Sequence, residues 1–400
     1  MSKLPKSRTV CSLLVSGLLL LVSWTACANQ PQKFLVFDGA ITPSWIKAHG
    51  NEYVFVWGAS PGTVPVFQQY APHTLLGTYF PHMRDPNRAD TLAHWQATHP
   101  TWVLYQCDGR KPALLSGDSN ITLDTNNPEV IQWQIQNFLN GAASTHAVAL
   151  DGLQFRNNGQ GCGVYRTNHS FAPLYSGKAV DRTYADDVAN WVQQVYPSLH
   201  KQGIKVIVNH IPDETSNGRY PAPDVNFPPT QRLIASVDGM VEEGASFTMQ
   251  NRAVALGVLQ YADYVAAKQK WMYFIYELNP FNVQTVESAM ASYLMMASPY
   301  SAVFVSNRDS TYGHAPNFLG YDKNLGNPCG AHTSSNGILT RQYEKGIAMF
   351  ALPEQTPRPV AIPAGYQNVD GNSAPSQIVL NAGEGSVLYR SSGTSCSGAP

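Results

Sequence analysis

The sequence predicts an α/β protein: a (β/α)8 TIM barrel followed by a small C-terminal antiparallel β module. Three observations carry that expectation. Short apolar runs alternate with longer helical patterns from Tyr53 to Asn307, over about the 250 residues that such barrels occupy. Several of those runs are continuously apolar, as expected of strands covered on both faces. Finally, three successive runs end in polar residues: Ala147-Val148-Ala149-Leu150 in Asp151, Lys205-Val206-Ile207-Val208 in Asn209-His210, and Gly239-Met240-Val241 in Glu242-Glu243. A carboxylate at the end of a buried strand is costly to desolvate unless it has partners or a task. The C-terminal strand ends are also where a parallel barrel assembles its active site. An open doubly wound sheet is the competing architecture, but no Gly-x-Gly-x-x-Gly follows the first strand.

The expected strands are Tyr53–Trp57, Leu75–Phe80, Trp102–Gln106, Ala147–Asp151, Val206–Asn209, Gly239–Glu243, Trp271–Tyr276 and Ala302–Ser306. Between them, Asp90 is placed to cap a helix running through Leu92 and Trp95, and Pro128 opens another at its first turn. Asp186 to Gln202 carries Val188, Trp191, Val192, Val195 and Leu199 at helical spacing, and Gly203 stops it. Met249–Lys270 and Val283–Met296 are two further helical patterns. After Ser310 the texture changes to Gly, Pro, Asn and Ser, then to short strand-like runs at Gly346–Phe350, Arg358–Ile362, Gln377–Leu380 and Ser386–Tyr389. The expected division is a signal segment over 1–28, a barrel over 29–310, a connecting loop over 311–340 and the β module over 341–400.

The N-terminus reads as an export segment. Lys3, Lys6 and Arg8 precede an apolar stretch from Ser12 to Trp24 that is short for a membrane span. Ala26-Cys27-Ala28 is a small-x-small cleavage site that would release a secreted or periplasmic protein, whereas Thr25-Ala26-Cys27 reads as a lipobox that would make Cys27 a lipid anchor. Both place the globular part outside the cytoplasm. Cys107, Cys162, Cys329 and Cys396 then allow three disulfide pairings. Cys107 with Cys162 is preferred, because both follow runs read as adjacent strands. No metal-ligand spacing appears among them, and no cofactor is expected.

Composition narrows the function. A net charge of −1 with scattered Lys and Arg gives no basic stripe for nucleic acid. Only 13% of residues are charged, whereas Tyr (20) and Trp (8) are plentiful; such aromatic surfaces suit sugar faces, although burial alone accounts for most aromatics. No Gly-x-Ser-x-Gly elbow and no phosphate-binding loop is present. Cleavage of a glycosidic bond needs one carboxyl group to protonate the leaving oxygen and a second to attack the anomeric carbon or activate water. Asp151 and Glu243, at the ends of the fourth and sixth strands, are the candidate catalytic pair. Glu242 is the fallback for Glu243, since neighbours in a strand face opposite ways. Asn209, between them, is a candidate to bind a sugar hydroxyl or orient a carboxylate. Further candidates for substrate binding are Asp38, Trp57, Tyr79, Gln106, Asp108, Arg156 and Tyr276, with His82, Arg84, Arg110, Asn157, His210, Glu277 and Asn279 close behind.

On the residues Ala149-Leu150-Asp151-Gly152 and Val241-Glu242-Glu243-Gly244, the chain resembles the hypothetical glycoside-hydrolase-like family fifteen of extracellular barrels. The tail, from Gly346–Phe350 through Val360–Pro363 to Gly385–Leu388, resembles the C-terminal β module of that family. A more distant resemblance is to polygalactosaminidase-type barrels, whose fourth, fifth and sixth strands end in Asp, Asn and Glu; Asp151, Asn209 and Glu243 follow that order. The resemblance implies a glycosidase-like barrel acting on a poly- or oligosaccharide. The alternative expectation is a non-catalytic carbohydrate-binding or envelope-scaffold lipoprotein on the same fold, and a weaker one is a barrel hydrolase of another bond.

Overall fold

The computed structural model describes residues 31–81, 92–114, 121–211, 223–307, 312–390 and 396. The expected export segment with Cys27, and also His82 and Arg84, lie outside the described residues. Eight parallel strands close into a barrel in sequential order: β1 Lys33–Val36, β2 Tyr53–Trp57, β3 Leu75–Pro81, β4 His146–Gln154, β5 Lys205–Ile211, β6 Gly239–Glu242, β7 Trp271–Leu278 and β8 Ser301–Asn307. Around them run α1 Pro43–His49, α2 Val64–Tyr70, α3 Leu92–Thr98, α4 Pro128–Gly141, α5 Arg182–His200, α6 Pro228–Ser236, α7 Arg252–Ala267 and α8 Val283–Met296. The fold class is therefore the (β/α)8 barrel.

One strand differs from the expectation. Trp102–Gln106 is outside the barrel and makes isolated antiparallel bridges, Val103 with Leu123 and Tyr105 with both Pro112 and Gly163. Trp102, Val103 and Tyr105 pack in a satellite cluster with Trp95, Ile121, Leu123 and Val130, while Leu104 joins the main core. An apolar run of that length cannot reveal by periodicity which core it enters. The strand missing from the expectation is β1, only four residues long and opened by Lys33, whose ammonium is paired with Asp322 at 2.9 Å and Glu52 at 3.1 Å. The exchange leaves the numbering of β4 to β8 unchanged.

Side-chain caps account for several helix starts. Asn127 caps α4, with Pro128 at its first position, and Asn251 caps α7. Asp181 caps α5 four residues earlier than the apolar spacing indicated. The helix α8 is buried without a break from Ser288 to Met296, which a helix shows only when it is covered all round. The barrel covers one side and a five-stranded sheet built from Thr333–Ser335, Ile338–Tyr343, Gly346–Ala351, Tyr366–Gln367 and Gly385–Arg390 covers the other. Glu287 on α8 accepts from Ser386 Oγ and Val387 N, both at 2.9 Å. Arg341 Nη1 donates to the carbonyls of Leu294, Met295 and Ala297 at the end of α8. Arg358–Ala361 and Gln377–Leu380 form a separate antiparallel pair. Disulfides join Cys107 to Cys162 and Cys329 to Cys396.

Candidate active site

Strand alternation builds the site. The side chains filling the barrel interior include Val36, Trp57, Ala147, Ala149, Ile207, Val241, Tyr273, Ile275, Ala302 and Phe304. Two residues further along the respective strands stand Asp151, Asn209, Glu243 and Glu277, and a period of two aims each the same way, into the bowl above the packed interior. The floor is aromatic: Tyr273 lies 4.7 Å from Phe55 and 5.1 Å from Phe34, ring centre to ring centre.

The strand β4 breaks step with β5 just beyond the Asp151 position. β4 pairs Leu150 with Val208 but Leu153 with His210, so β4 carries one residue more than β5 across that step. The extra residue falls at Asp151-Gly152, and Gly152 takes φ +65°, a conformation in which a Cβ would be strained. Bulges of this kind re-aim a side chain at the rim of a barrel.

Above the floor lies a cavity of about 330 Å³, with Val36, Val241 and Ile275 below and Phe37, Trp57, Tyr79 and Tyr312 as an aromatic wall. Asp151, Asn209 and Glu243 also line it. Asn209 Nδ2 donates to Asp151 Oδ1 at 3.0 Å and to Glu243 Oε2 at 2.7 Å. The reverse amide orientation would set a carbonyl oxygen against two carboxyl oxygens, so the amide is fixed. It is held even though Asn209 Oδ1 is buried with no hydrogen-bond partner among the described residues. Asp151 Oδ2 accepts from Tyr79 Oη at 2.5 Å. Glu243 Oε1 accepts from Tyr312 Oη. Burial pushes the Glu243 carboxyl above its ordinary range; the bonds from Tyr312 and Asn209 oppose this, and the charges of Asp151 and Glu277 add to it.

The structure brings Asp151, Asn209, Glu243, Trp57 and Tyr79 together at this cavity, and it places the other expected residues elsewhere. Asp38 is buried at the end of β1, where it accepts from Ser60 N and Thr63 Oγ1 and ties that end to the start of α2. Glu242 is buried on the other face of β6, with Oε1 accepting from Gly244 N at 3.0 Å. Tyr276 points outward by the same alternation, and its hydroxyl donates to Ser292 of α8. Gln106 and Asp108 belong to the satellite turn, where Asp108 Oδ1 accepts from the backbone of Arg110 and Lys111. Arg156 is half-buried beyond the end of β4 and is not part of the cavity lining. Asn157 closes its own loop onto Gly161, and His210 faces Phe155 and Tyr261.

Sequence reasoning missed Phe37 and Tyr312, which line the cavity, and kept Glu277 among the lesser candidates. The phase of alternation in β7 could have found Glu277, because an inward Tyr273 and Ile275 put Glu277 inward and Tyr276 outward. Phe37 follows the unrecognised β1 at φ +57°, and no local signal in the sequence marked Tyr312. Gly58 lets Phe37 sit there: a Cβ on Gly58 would lie 2.4 Å from the Phe37 ring.

A family model described as hypothetical glycosyl hydrolase family 15 matches residues 67–347. No curated protein matches the sequence. Similar solved structures include the glycoside hydrolase domain of PelA from Pseudomonas aeruginosa, at 13% identity over 69% of this chain and 95% of that one, with a TM-score of 0.42. An alpha-amylase from Malbranchea cinnamomea is similar at 9% identity over 90% and 96%, with a TM-score of 0.47. An alpha-galactosidase from Lactobacillus brevis is similar at 13% identity over 92% and 56%, with a TM-score of 0.46.

Proposed function

The chain belongs to hypothetical glycosyl hydrolase family 15, and from that premise we propose that it hydrolyses an O-glycosidic bond in a poly- or oligosaccharide, with Asp151 as nucleophile and Glu243 as general acid and base. The observation that carries this reading is the single Asn209 nitrogen bonded to both carboxyl groups. Their bonded oxygens can be no farther apart than those two bonds laid end to end. That limit, on the nearest oxygens, suits the close pairing of roughly 5–5.5 Å found in enzymes that retain anomeric configuration.

In this mechanism Glu243 gives its proton to the glycosidic oxygen while an Asp151 oxygen bonds to the anomeric carbon and the leaving alcohol departs. Water then attacks the same carbon, Glu243 takes up the water proton, and the Asp151 bond breaks to release a sugar of the original configuration. Asn209 and Tyr79 hold Asp151 in position, and Trp57 and Phe37 offer apolar faces to the sugar. The two disulfides fit an oxidising compartment, which supports export. Among the described residues no helix is long and apolar enough to cross a membrane.

The test is a panel of polysaccharides incubated with wild type, Asp151→Asn and Glu243→Gln, counting reducing ends and following the first-formed anomer by proton NMR. Each substitution is expected to lower turnover by about 10²–10⁴-fold, and the first product keeps the anomeric configuration of the substrate. Binding without product release by the wild type would instead favour the scaffold alternative.

A further inference from the structure

A ring of contacts closes around the cavity. Asn209 Nδ2 joins Asp151 to Glu243, at 3.0 and 2.7 Å, and Glu243 accepts from Tyr312 Oη. The Tyr312 ring stands 6.1 Å from that of Phe37, centre to centre, and Phe37 stands 5.4 Å from Tyr79. Tyr79 Oη then returns to Asp151 at 2.5 Å. All six side chains line the cavity. A ligand lowered into this collar meets their polar atoms at close range, so what those atoms still offer decides what it can be.

The polar hydrogens of the collar are already committed. Asn209 Nδ2 gives both of its hydrogens to carboxyl oxygens. The Tyr79 hydroxyl donates to Asp151 and the Tyr312 hydroxyl to Glu243. A phenol has one hydrogen to give and an ionised carboxylate has none. In the proposed mechanism the Glu243 proton itself goes to the leaving oxygen. The collar therefore keeps lone pairs, not hydrogens, for the rest of a bound sugar.

Trp57 is the exception among the described lining residues. It faces the barrel interior, lines the cavity and is only 4% exposed. Its indole N–H has no hydrogen-bond partner and is not fully enclosed. On an inward-facing side chain, the area that remains open is on the cavity side. An indole nitrogen can only donate, and an N–H so nearly buried is costly to leave unmatched.

We propose that the cavity selects a neutral sugar unit, whose hydroxyls donate to the carboxyl groups and one of whose oxygens accepts from Trp57 Nε1, and rejects the same sugar oxidised to a uronate. A uronate brings a negative charge and further lone pairs beside Asp151. The hydrogens of the collar could turn to it only by abandoning a carboxyl group, which leaves a charge unmatched where the ligand has displaced water. Trp57 is then a specificity residue as well as an apolar face, because a single N–H fixes which edge of the sugar lies toward β2. The proposal deepens the glycosidase reading and rests on it for the ligand being a sugar.

The test measures binding of glucose, galactose and mannose, and of the three matching uronates, at pH 7 by ligand-observed NMR titration. These monosaccharides hold no bond to cleave, so wild type, Trp57→Phe and Asp151→Asn are compared without turnover, and thermal melts report that the variants are folded. At least one hexose is expected to bind, with its uronate weaker by about tenfold or more, as like charges set close together require. Trp57→Phe keeps an aromatic face and loses the N–H, and should weaken the hexose about tenfold. Asp151→Asn removes a charge and should narrow the gap between hexose and uronate, which a pocket that merely excluded the larger sugar would not do. A uronate binding as tightly as its hexose would overturn the proposal, as would a folded Trp57→Phe with undiminished hexose binding, or no binding by any of the six sugars. Hexose preference without cleavage in the polysaccharide panel sinks the glycosidase reading and leaves the selectivity standing; cleavage of a polyuronate does the reverse.

Discussion

Glu243 shows how one buried side chain can oppose stability while holding the proton that the proposed mechanism needs. Its folded carboxyl is raised above the ordinary value of 4.5 by burial, so between that value and the folded midpoint the native state binds more protons than the unfolded chain. Stability then falls as pH rises through that window; below it both states are protonated and the cost vanishes. Glu243→Gln removes the titration, so its stability relative to wild type should increase from pH 4 to pH 7 in denaturant melts at several pH values. Asp38 makes the opposite case. Its buried carboxylate binds the backbone and hydroxyl at the start of α2 rather than lining the cavity, so Asp38→Ala should cost about 1–3 kcal/mol. A lowered Tm with an unchanged Michaelis constant would identify its task as structural.

At the scale of elements, the bulge in β4 deserves the closest test. Without the extra residue at Asp151-Gly152, β4 would keep step with β5, and Leu153 and Gln154 would swap faces. Gly152→Ala leaves every named site residue intact while straining a backbone at φ +65°. It should cost about 1–3 kcal/mol in stability and, by shifting Asp151 against Asn209, lower turnover about 10²-fold. Thermal melts and the reducing-end assay read the two effects separately. A full-activity Gly152→Ala would mean that the bulge does not position the carboxylate.

For the whole molecule, the C-terminal sheet acts as the outer wall of the barrel at α8. Gly385 approaches α8 so closely that a Cβ there would lie 2.4 Å from Ala291 Cβ, and Gly385 N donates to Ser288 Oγ at 3.0 Å. Ten of the fourteen residues of α8 are buried, an unbroken run from Ser288 to Met296 among them. Removing residues 333–400 would strip one side of that helix and leave the carbonyls served by Arg341 uncapped. The shortened chain is expected to be largely insoluble, as judged by soluble yield and the loss of a cooperative melt. A stable, active barrel from residues 31–332 would show instead that the sheet is a separable module. The milder Arg341→Ala should lower stability by about 1–3 kcal/mol, measured by the same melts.

Local information was enough to place the strands that end in the cavity's carboxylates and amide. Apolar alternation and the polar residues ending β4, β5 and β6 are properties of a few consecutive residues, so Asp151, Asn209 and Glu243 were legible without coordinates. So were seven of the eight barrel strands. Contacts between distant segments decided the rest. Trp102–Gln106 and Lys33–Val36 are both short apolar runs, and only closure of the barrel selected the second as a strand. Asp38 and Tyr276 lie at strand ends, as the catalytic candidates do, but their partners Ser60 and Ser292 turn them elsewhere. Tyr312 reaches Glu243 across 69 positions of sequence. A strand's period fixes only the relative facing of its own side chains; which residue meets which depends on how the strands pack around a shared interior.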